Sequence, residues 1–271
     1  MGIDYKKLNV LKGDLLDSEF LKSLPMADVI FHAAGYGQPA KFLDNALGTI
    51  RLNCDVTSIL AEKTHRGGRF VFFSSSEIYS GLTTLPNFES EIGTTDPYHP
   101  RAAYIESKRM GETITHLARD KFEISSTSLR IALVYGPGTK KGDSRVLNSF
   151  ISRALNGGKL IMMDRGDALR TYCFIDDAIR MIINIAERGS HTVYNLGGVE
   201  MVSIRELGEL ISSLTGCAFV IPNQDLGLSS APNMVKLNMD RTLETFDEQF
   251  EFTPFEDGLR QTIEWQKSHL H

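Results

Sequence analysis

Tyr104 and Lys108 stand four residues apart in AAYIESKRMGETITHLARD, a stretch whose apolar periodicity predicts a helix, so a phenol and an ammonium share one face. An ammonium close to a phenol stabilises the phenolate and lowers its pKa, which makes such a tyrosine a base near neutral pH. Alone, this pair is also an ordinary helix-surface pair, so its neighbours decide. Ser74, Ser75 and Ser76 follow the apolar run RFVFF and precede Glu77 and Tyr79, which puts hydroxyls and a carboxylate at the C-terminal edge of a sheet. Open α/β sheets bind ligands at that edge, although a serine-rich turn explains the same residues without chemistry. A serine hydroxyl beside an activated tyrosine can share one substrate oxygen with it and relay the proton.

The elements that must position these groups alternate. From residue 8 to about 135, short β-rich apolar runs alternate with longer amphipathic stretches, the pattern of βαβ units and a parallel sheet. Residues 8 to 13 (LNVLKG) read as a strand, Asp17 and Ser18 can cap a short helix, and ADVIFHAAG reads as a strand over 27 to 32 running into a small-residue loop. A long helix is expected from about Pro39 to His65, then a buried strand over 69 to 73, the helix of Tyr104, and a strand in ISSTSLRIALVYGPG. Beyond it the spacing predicts helices near 144–156, 176–187 and 203–215, short strands near 159, 172 and 192, and a last amphipathic helix through Trp265. The expected division is residues 1–137 for the sheet domain and 138–271 for a smaller α+β lobe with some elements returning to the sheet.

At 271 residues, 42% hydrophobic and 23% charged, the chain can bury a sizeable core, which excludes disordered, collagenous and low-complexity classes. The formal net charge of -5 lacks the basic excess of a nucleic-acid binder, so local arginines must hold any acidic substrate. Three scattered cysteines, Cys54, Cys173 and Cys217, argue against a disulfide framework and a metal site. The N-terminus lacks the apolar stretch of a signal peptide and no run is long enough to span a bilayer, so no membrane partner and a cytoplasmic home are expected.

The pieces GDLLD, HAAG, the Asn53 helix, SSSEIY, PRAAYIESK, LRIALVYGPG and LRTYCFIDDA, in this order, resemble the extended short-chain dehydrogenase/reductase superfamily and its NAD-dependent nucleotide-sugar epimerases, dehydratases and decarboxylases. The resemblance implies an α/β fold with a Rossmann-like, doubly wound parallel sheet and a substrate lobe, with NAD as cofactor. It makes Tyr104 the catalytic base, Lys108 the holder of the nicotinamide ribose, Ser75 the hydroxyl partner, and Asn53 the support of the lysine. Asp14 and Leu15 match the pair that contacts adenine; Ala33, Ala34 and Gly35 match the small residues against the cofactor, with Val134 completing the cofactor set. His32 reads as structural. Ser75, Ser76, Glu77 and Tyr104 would face the sugar, and Arg145 and Arg170 would grip a nucleotide diphosphate, for which the guanidinium fork suits phosphate oxygens. A homodimer through the helices of Asn53 and Tyr104 is also implied.

Glu77, which joins Ser75, Tyr104 and Lys108 in the catalytic set the resemblance implies, bears on the reaction. The related 4,6-dehydratases carry an Asp-Glu pair here, and Ser76 removes the acid that elimination needs. Ser-Ser-Glu with Ile-Tyr, and PRAAYIESKR, instead resemble UDP-glucuronate decarboxylases, which make UDP-xylose. One departure is Leu133, where those enzymes usually carry an asparagine that a leucine cannot replace as a donor. A nucleotide-sugar 4-epimerase or 4,6-dehydratase is the alternative, and a catalytically inactive, truncated binding or interaction protein is the other. That last reading rests on the start: nothing between Met1 and Gly13 resembles GxxGxxG, and the first recognisable piece corresponds to the superfamily's third strand. The expectation is that the strand at 8–13 moves in beside the strand at 27–32 or pairs outside its own chain, with weakened NAD affinity in either case.

Overall fold

The computed structural model describes residues 7–221 and 234–270. In chain order they form α1 (Ser18–Ser23), β1 (Ala27–His32), α2 (Pro39–Asp44), α3 (Ala46–Asn53), α4 (Asp55–Glu62), β2 (Thr64–Ser75), a 3-10 turn (Ser76–Tyr79), α5 (Ala102–Phe122), β3 (Ser125–Ile131) and β4 (Val134–Tyr135). There follow α6 (Val146–Leu155), β5 (Leu160–Ile161), β6 (Leu169–Thr171), β7 (Cys173–Phe174), α7 (Ile175–Arg188), β8 (Val193–Leu196), β9 (Met201–Ser203), α8 (Ile204–Thr215), β10 (Phe219–Val220), β11 (Met234–Val235), α9 (Asp240–Leu243) and α10 (Phe255–His269).

The main sheet is four-stranded and parallel, in the order β1-β2-β3-β8. Phe70, Val71 and Phe72 of β2 are fully buried, because a central parallel strand is covered on both faces and therefore reads as a continuous apolar run. On one face Phe70 and Phe72 pack with Leu52, Val56, Leu60 and Ala118 of α3, α4 and α5; on the other, Val71 and Leu129 meet Met181 and Ile185 of α7. A third cluster, with Leu147, Ile151, Leu160, Leu207, Ile211 and Leu259, is the core of the C-terminal elements. Gly111 lets α5 seat deeply: a Cβ there would lie 2.4 Å from the Phe72 ring and 2.8 Å from the Asn53 carbonyl oxygen. Among the described residues, no helix is long and apolar enough to cross a membrane.

Two expectations fail. Residues 8 to 13 form no strand; Leu8, Val10 and Leu11 are exposed, and β1 is an edge strand whose second edge has no partner among the described residues. The run was apolar enough for a strand but had no neighbour to complete its hydrogen bonds, so it does not move in beside β1. The single helix over 39–65 is three. Asn45 ends α2 and caps α3, its side chain accepting from the Gly48 amide at 3.0 Å; Cys54, at φ -110°, breaks α3 from α4. The last residues, from Thr64, belong to β2.

Candidate active site

The site is assembled where the C-terminal end of β2 meets the first turns of α5. Tyr104, Lys108 and Glu112 recur every four residues and make one stripe of α5. Each reaches a different residue at the end of β2. The Ser75 hydroxyl stands beside the Tyr104 phenol, near enough to lower its pKa. Lys108 Nζ donates to the Phe73 carbonyl at 2.6 Å, and the Ser74 hydroxyl donates to Glu112 Oε1 at 2.6 Å.

The electrostatics differ from the sequence expectation. Burial pushes the Tyr104 phenol above its usual pKa, opposed by the neighbouring Ser75 hydroxyl. Lys108 does not bring it down: burial lowers the lysine to about 7, against the pull of Glu112 and Cys54, and its ammonium sits over the Phe72 ring, 4.8 Å from the centroid, and 5.8 Å from that of Tyr104. The shield over Tyr104 is Phe42 of α2, 2% exposed and stacked on the phenol ring at 4.4 Å.

Ser75 ends β2 and caps the 3-10 turn, accepting from the Glu77 amide at 3.2 Å. Ser76, half-buried, opens that turn. Glu77 accepts from Arg101 Nη2 at 2.6 Å; burial raises its carboxyl, against the lowering charges of Arg101, His99 and Arg170. Arg101 Nε is itself buried without a partner. Asn53 donates to the Ser107 hydroxyl at 2.9 Å, which donates in turn to the Tyr104 carbonyl at 3.0 Å. Asn53 Oδ1 is buried and unpaired, and a Cβ on Gly35 would stand 3.7 Å from both that oxygen and Lys108 Nζ. His32 bonds through Nε2 to the Leu52 carbonyl at 3.0 Å, and burial lowers it to about 4, so it is neutral at pH 7.

The structure therefore joins Ser75, Glu77, Tyr104, Lys108, Asn53 and Gly35, with Ser76 in the same turn and the charge of Arg170 felt at Glu77. Ala33 and Ala34 lie in the loop leading to Gly35, Ala33 exposed. Arg170 is 9% exposed and donates to the Leu169 carbonyl at 2.7 Å; among the described residues no carboxylate lies within ion-pair reach of it. Other expected residues are held differently. Arg145 is clasped by Asp143, with Nη2 to Oδ2 at 2.6 Å. Asp14 sits in the exposed turn before α1, accepting from the Leu16 amide at 2.9 Å, and Leu15 packs into the cluster around Phe70. Val134 pairs with Cys173 in a short ladder. Leu133 before it has φ 45°, a left-handed conformation that an asparagine adopts far more readily than a leucine.

Phe42, Arg101, Glu112 and Arg130 escape the sequence reading. Glu112 was within reach of it, since extending the Tyr104–Lys108 spacing by four more residues lands on it. Arg101 lies inside the PRAAYIESK run, but its pairing with Glu77 depends on the fold. Phe42 left no signal.

The family model for the NAD dependent epimerase/dehydratase family matches residues 3–197. The chain is 25% identical over 273 residues to UDP-glucuronic acid decarboxylase 1 of Xenopus tropicalis, a match that covers 99% of this chain and 62% of that protein's length. It is 28% identical over 253 residues to a dTDP-4-dehydro-6-deoxy-D-allose reductase of Streptomyces bikiniensis, covering 90% of this chain and 76% of the relative. Among solved structures, it resembles the UDP-N-acetylglucosamine 4-epimerase of Methanobrevibacter ruminantium with a TM-score of 0.82 at 22% identity, covering 98% of this chain and 84% of that one. The UDP-glucuronic acid 4-epimerase of Bacillus cereus, solved with UDP-glucuronic acid and NAD, gives a TM-score of 0.78 at 21% identity, covering 96% of this chain and 81% of that one. With a Rossmann-type parallel sheet, a serine–tyrosine–lysine cluster at its C-terminal edge and a family match across most of its length, this chain belongs to the NAD dependent epimerase/dehydratase family.

Proposed function

We propose that the chain modifies a nucleotide sugar through a transient keto-sugar, with UDP-glucuronate decarboxylation as the reaction and 4-epimerisation of a UDP-sugar as the alternative. The observation that carries the reading is the Ser75 hydroxyl beside the Tyr104 phenol, with Lys108 one helical turn away and Glu77 in the 3-10 turn that Ser75 caps. The decarboxylase matches support the finer choice, as does Ser76 in place of the acid that dehydration needs.

The family's cofactor is NAD, and the nicotinamide-ribose end of the site suits it: Asn53 Oδ1 is a buried acceptor without a partner, and Gly35 leaves open the space beside it and Lys108. Lys108, Tyr104 and Gly35 would hold that end. Bound NAD would supply the hydride acceptor for oxidation of the sugar carbon and the hydride for its later reduction. Tyr104 takes the proton of the hydroxyl on that same carbon, Ser75 bridges the oxygen, and a charged Lys108 offsets the phenolate. Oxidation next to the carbon bearing a carboxylate makes a β-keto acid, which loses carbon dioxide readily. Glu77, kept by Arg101, lies where it can orient the sugar hydroxyls. Arg170 supplies a buried guanidinium for the diphosphate.

We also propose a homodimer through α3 and α5, whose Leu47, Ile50, Met110 and Leu117 are exposed apolar side chains. The functional test is to incubate the protein with NAD+ and UDP-glucuronate and follow the sugar by proton NMR. UDP-xylose with release of carbon dioxide is expected; UDP-galacturonate would move the assignment to the epimerase, and no conversion of any UDP-sugar would remove the enzymatic reading.

A further inference from the structure

Buried Ser74 and Arg130 meet the half-buried Glu112 beside the catalytic turn, and nothing in the proposed chemistry uses them. Arg130 of β3 is 3% exposed and stands opposite Ser74 in the β2–β3 register. It donates from Nη2 to Glu112 Oε2 at 2.9 Å and from Nε to Glu112 Oε1 at 3.1 Å. Its Nη1 donates to the Tyr79 hydroxyl at 2.8 Å and to the Glu89 and Glu91 carbonyls at 3.0 and 3.1 Å. Tyr79 in turn donates to Asn195 Oδ1 at 2.7 Å. One guanidinium thus ties down both ends of the segment 74–79: Tyr79 directly, and Ser74 through Glu112. Ser75 and Glu77 lie between those ends.

We propose that Glu112 is a positioning residue: held by Arg130, it anchors Ser74 and thereby fixes the turn that presents Ser75 to Tyr104 and Glu77 to the sugar. A buried ion pair is a poor device for stability alone, because well-packed apolar residues of the same volume serve as well or better. A pair with directed hydrogen bonds fixes orientation, and here the bonds to Tyr79 and, through Glu112, to Ser74 hold the two ends of the turn. Ser74 and Ser75 are adjacent, so freedom at the Ser74 side chain and backbone becomes displacement of the Ser75 hydroxyl. A sub-ångström misplacement of a proton-relaying group is costly in rate and nearly free in substrate binding.

The inference rests on the proposed function for its kinetic readout and on the apo protein for its structural one. Glu112→Gln strands the buried Arg130 charge, so the decisive variant is Ser74→Ala, which keeps the Arg130–Glu112 pair. The Tyr104 ring ¹³Cζ resonance, identified by its loss in Tyr104→Phe, reads the placement of the Ser75 hydroxyl beside the phenol without substrate. In Ser74→Ala that resonance is expected to move, kcat to fall about tenfold and KM to stay within about twofold. Ser74→Thr, which restores a hydroxyl in a strand, should recover both. An unmoved Tyr104 resonance with wild-type kcat in a folded Ser74→Ala protein would overturn the proposal. A moved resonance in a protein whose wild type converts no UDP-sugar would uphold the positioning role and count against the function.

Discussion

The Phe42 ring lies nearly parallel to the Tyr104 ring, 15° between planes and 4.4 Å between centroids, so a side chain of α2 roofs the phenol that α5 presents. The Arg101 guanidinium also lies over the Phe42 ring, 5.5 Å from its centroid. This stack helps to explain why burial dominates the Tyr104 phenol. Phe42→Ala should admit water and let the Tyr104 pKa fall back toward its usual value, at a cost of about 3 kcal/mol in stability. The Tyr104 ¹³Cζ titration and urea unfolding measure the two effects; an unchanged titration would mean the shielding comes from elsewhere.

Tyr104→Phe keeps the ring that stacks on Phe42 and removes only the hydroxyl. Turnover should fall at least about 100-fold while UDP-sugar affinity stays nearly intact, the signature of a lost acid–base group. Turnover at the wild-type rate would exclude Tyr104 as the base.

The helix of Tyr104 and Lys108, the strand at 69–73 and the strand within ISSTSLRIALVYGPG are legible because their signals are local: periodicity, and apolar runs bounded by serine or glycine. The strand at 8–13 misled because strand formation depends on a neighbour as well as on residue type, and LNVLKG has none among the described residues. The break at Cys54 went unseen since no glycine or proline marks it. Spacing alone gives the Tyr104 pKa the wrong sign, because it reveals the helix-mate Lys108 but not the Phe42 roof or the Phe73 carbonyl that takes the ammonium. Glu77's partner Arg101 was hidden for the same reason: pairing across an irregular stretch is decided by tertiary packing.

Arg170→Ala should weaken UDP-sugar binding by about 1.5–3 kcal/mol, the scale of a charged hydrogen bond to phosphate, with kcat at saturation little changed. Titration calorimetry with UDP checks it, and an unchanged dissociation constant would make the residue structural. Arg145→Ala should do less, because Asp143 already occupies that guanidinium.

If α3 and α5 form the dimer face, Leu47→Glu with Leu117→Glu should yield a folded monomer by sedimentation velocity, since both side chains are solvent-exposed in the single chain, at 77% and 62%. A wild-type sedimentation coefficient in the double variant would place any interface elsewhere.

Lys108 carries a stability penalty with a definite pH dependence. Its pKa falls from the usual 10.5 to about 7 on folding, so between those values the unfolded chain holds a proton that the folded chain has released. Stability therefore rises as pH climbs from about 7 to 10.5, and below 7, where both states are charged, the full penalty of the buried ammonium is present. Lys108→Met removes it. The variant should be more stable than wild type by about 3 kcal/mol at pH 6, with the gap closing towards pH 10.5, even after losing the bond to the Phe73 carbonyl. It should also be inactive, since the residue that would hold the nicotinamide ribose is gone. Urea unfolding of both proteins at pH 6, 8 and 10 measures the gap; a gap that stays constant with pH would show that Lys108 keeps its ordinary pKa in the fold.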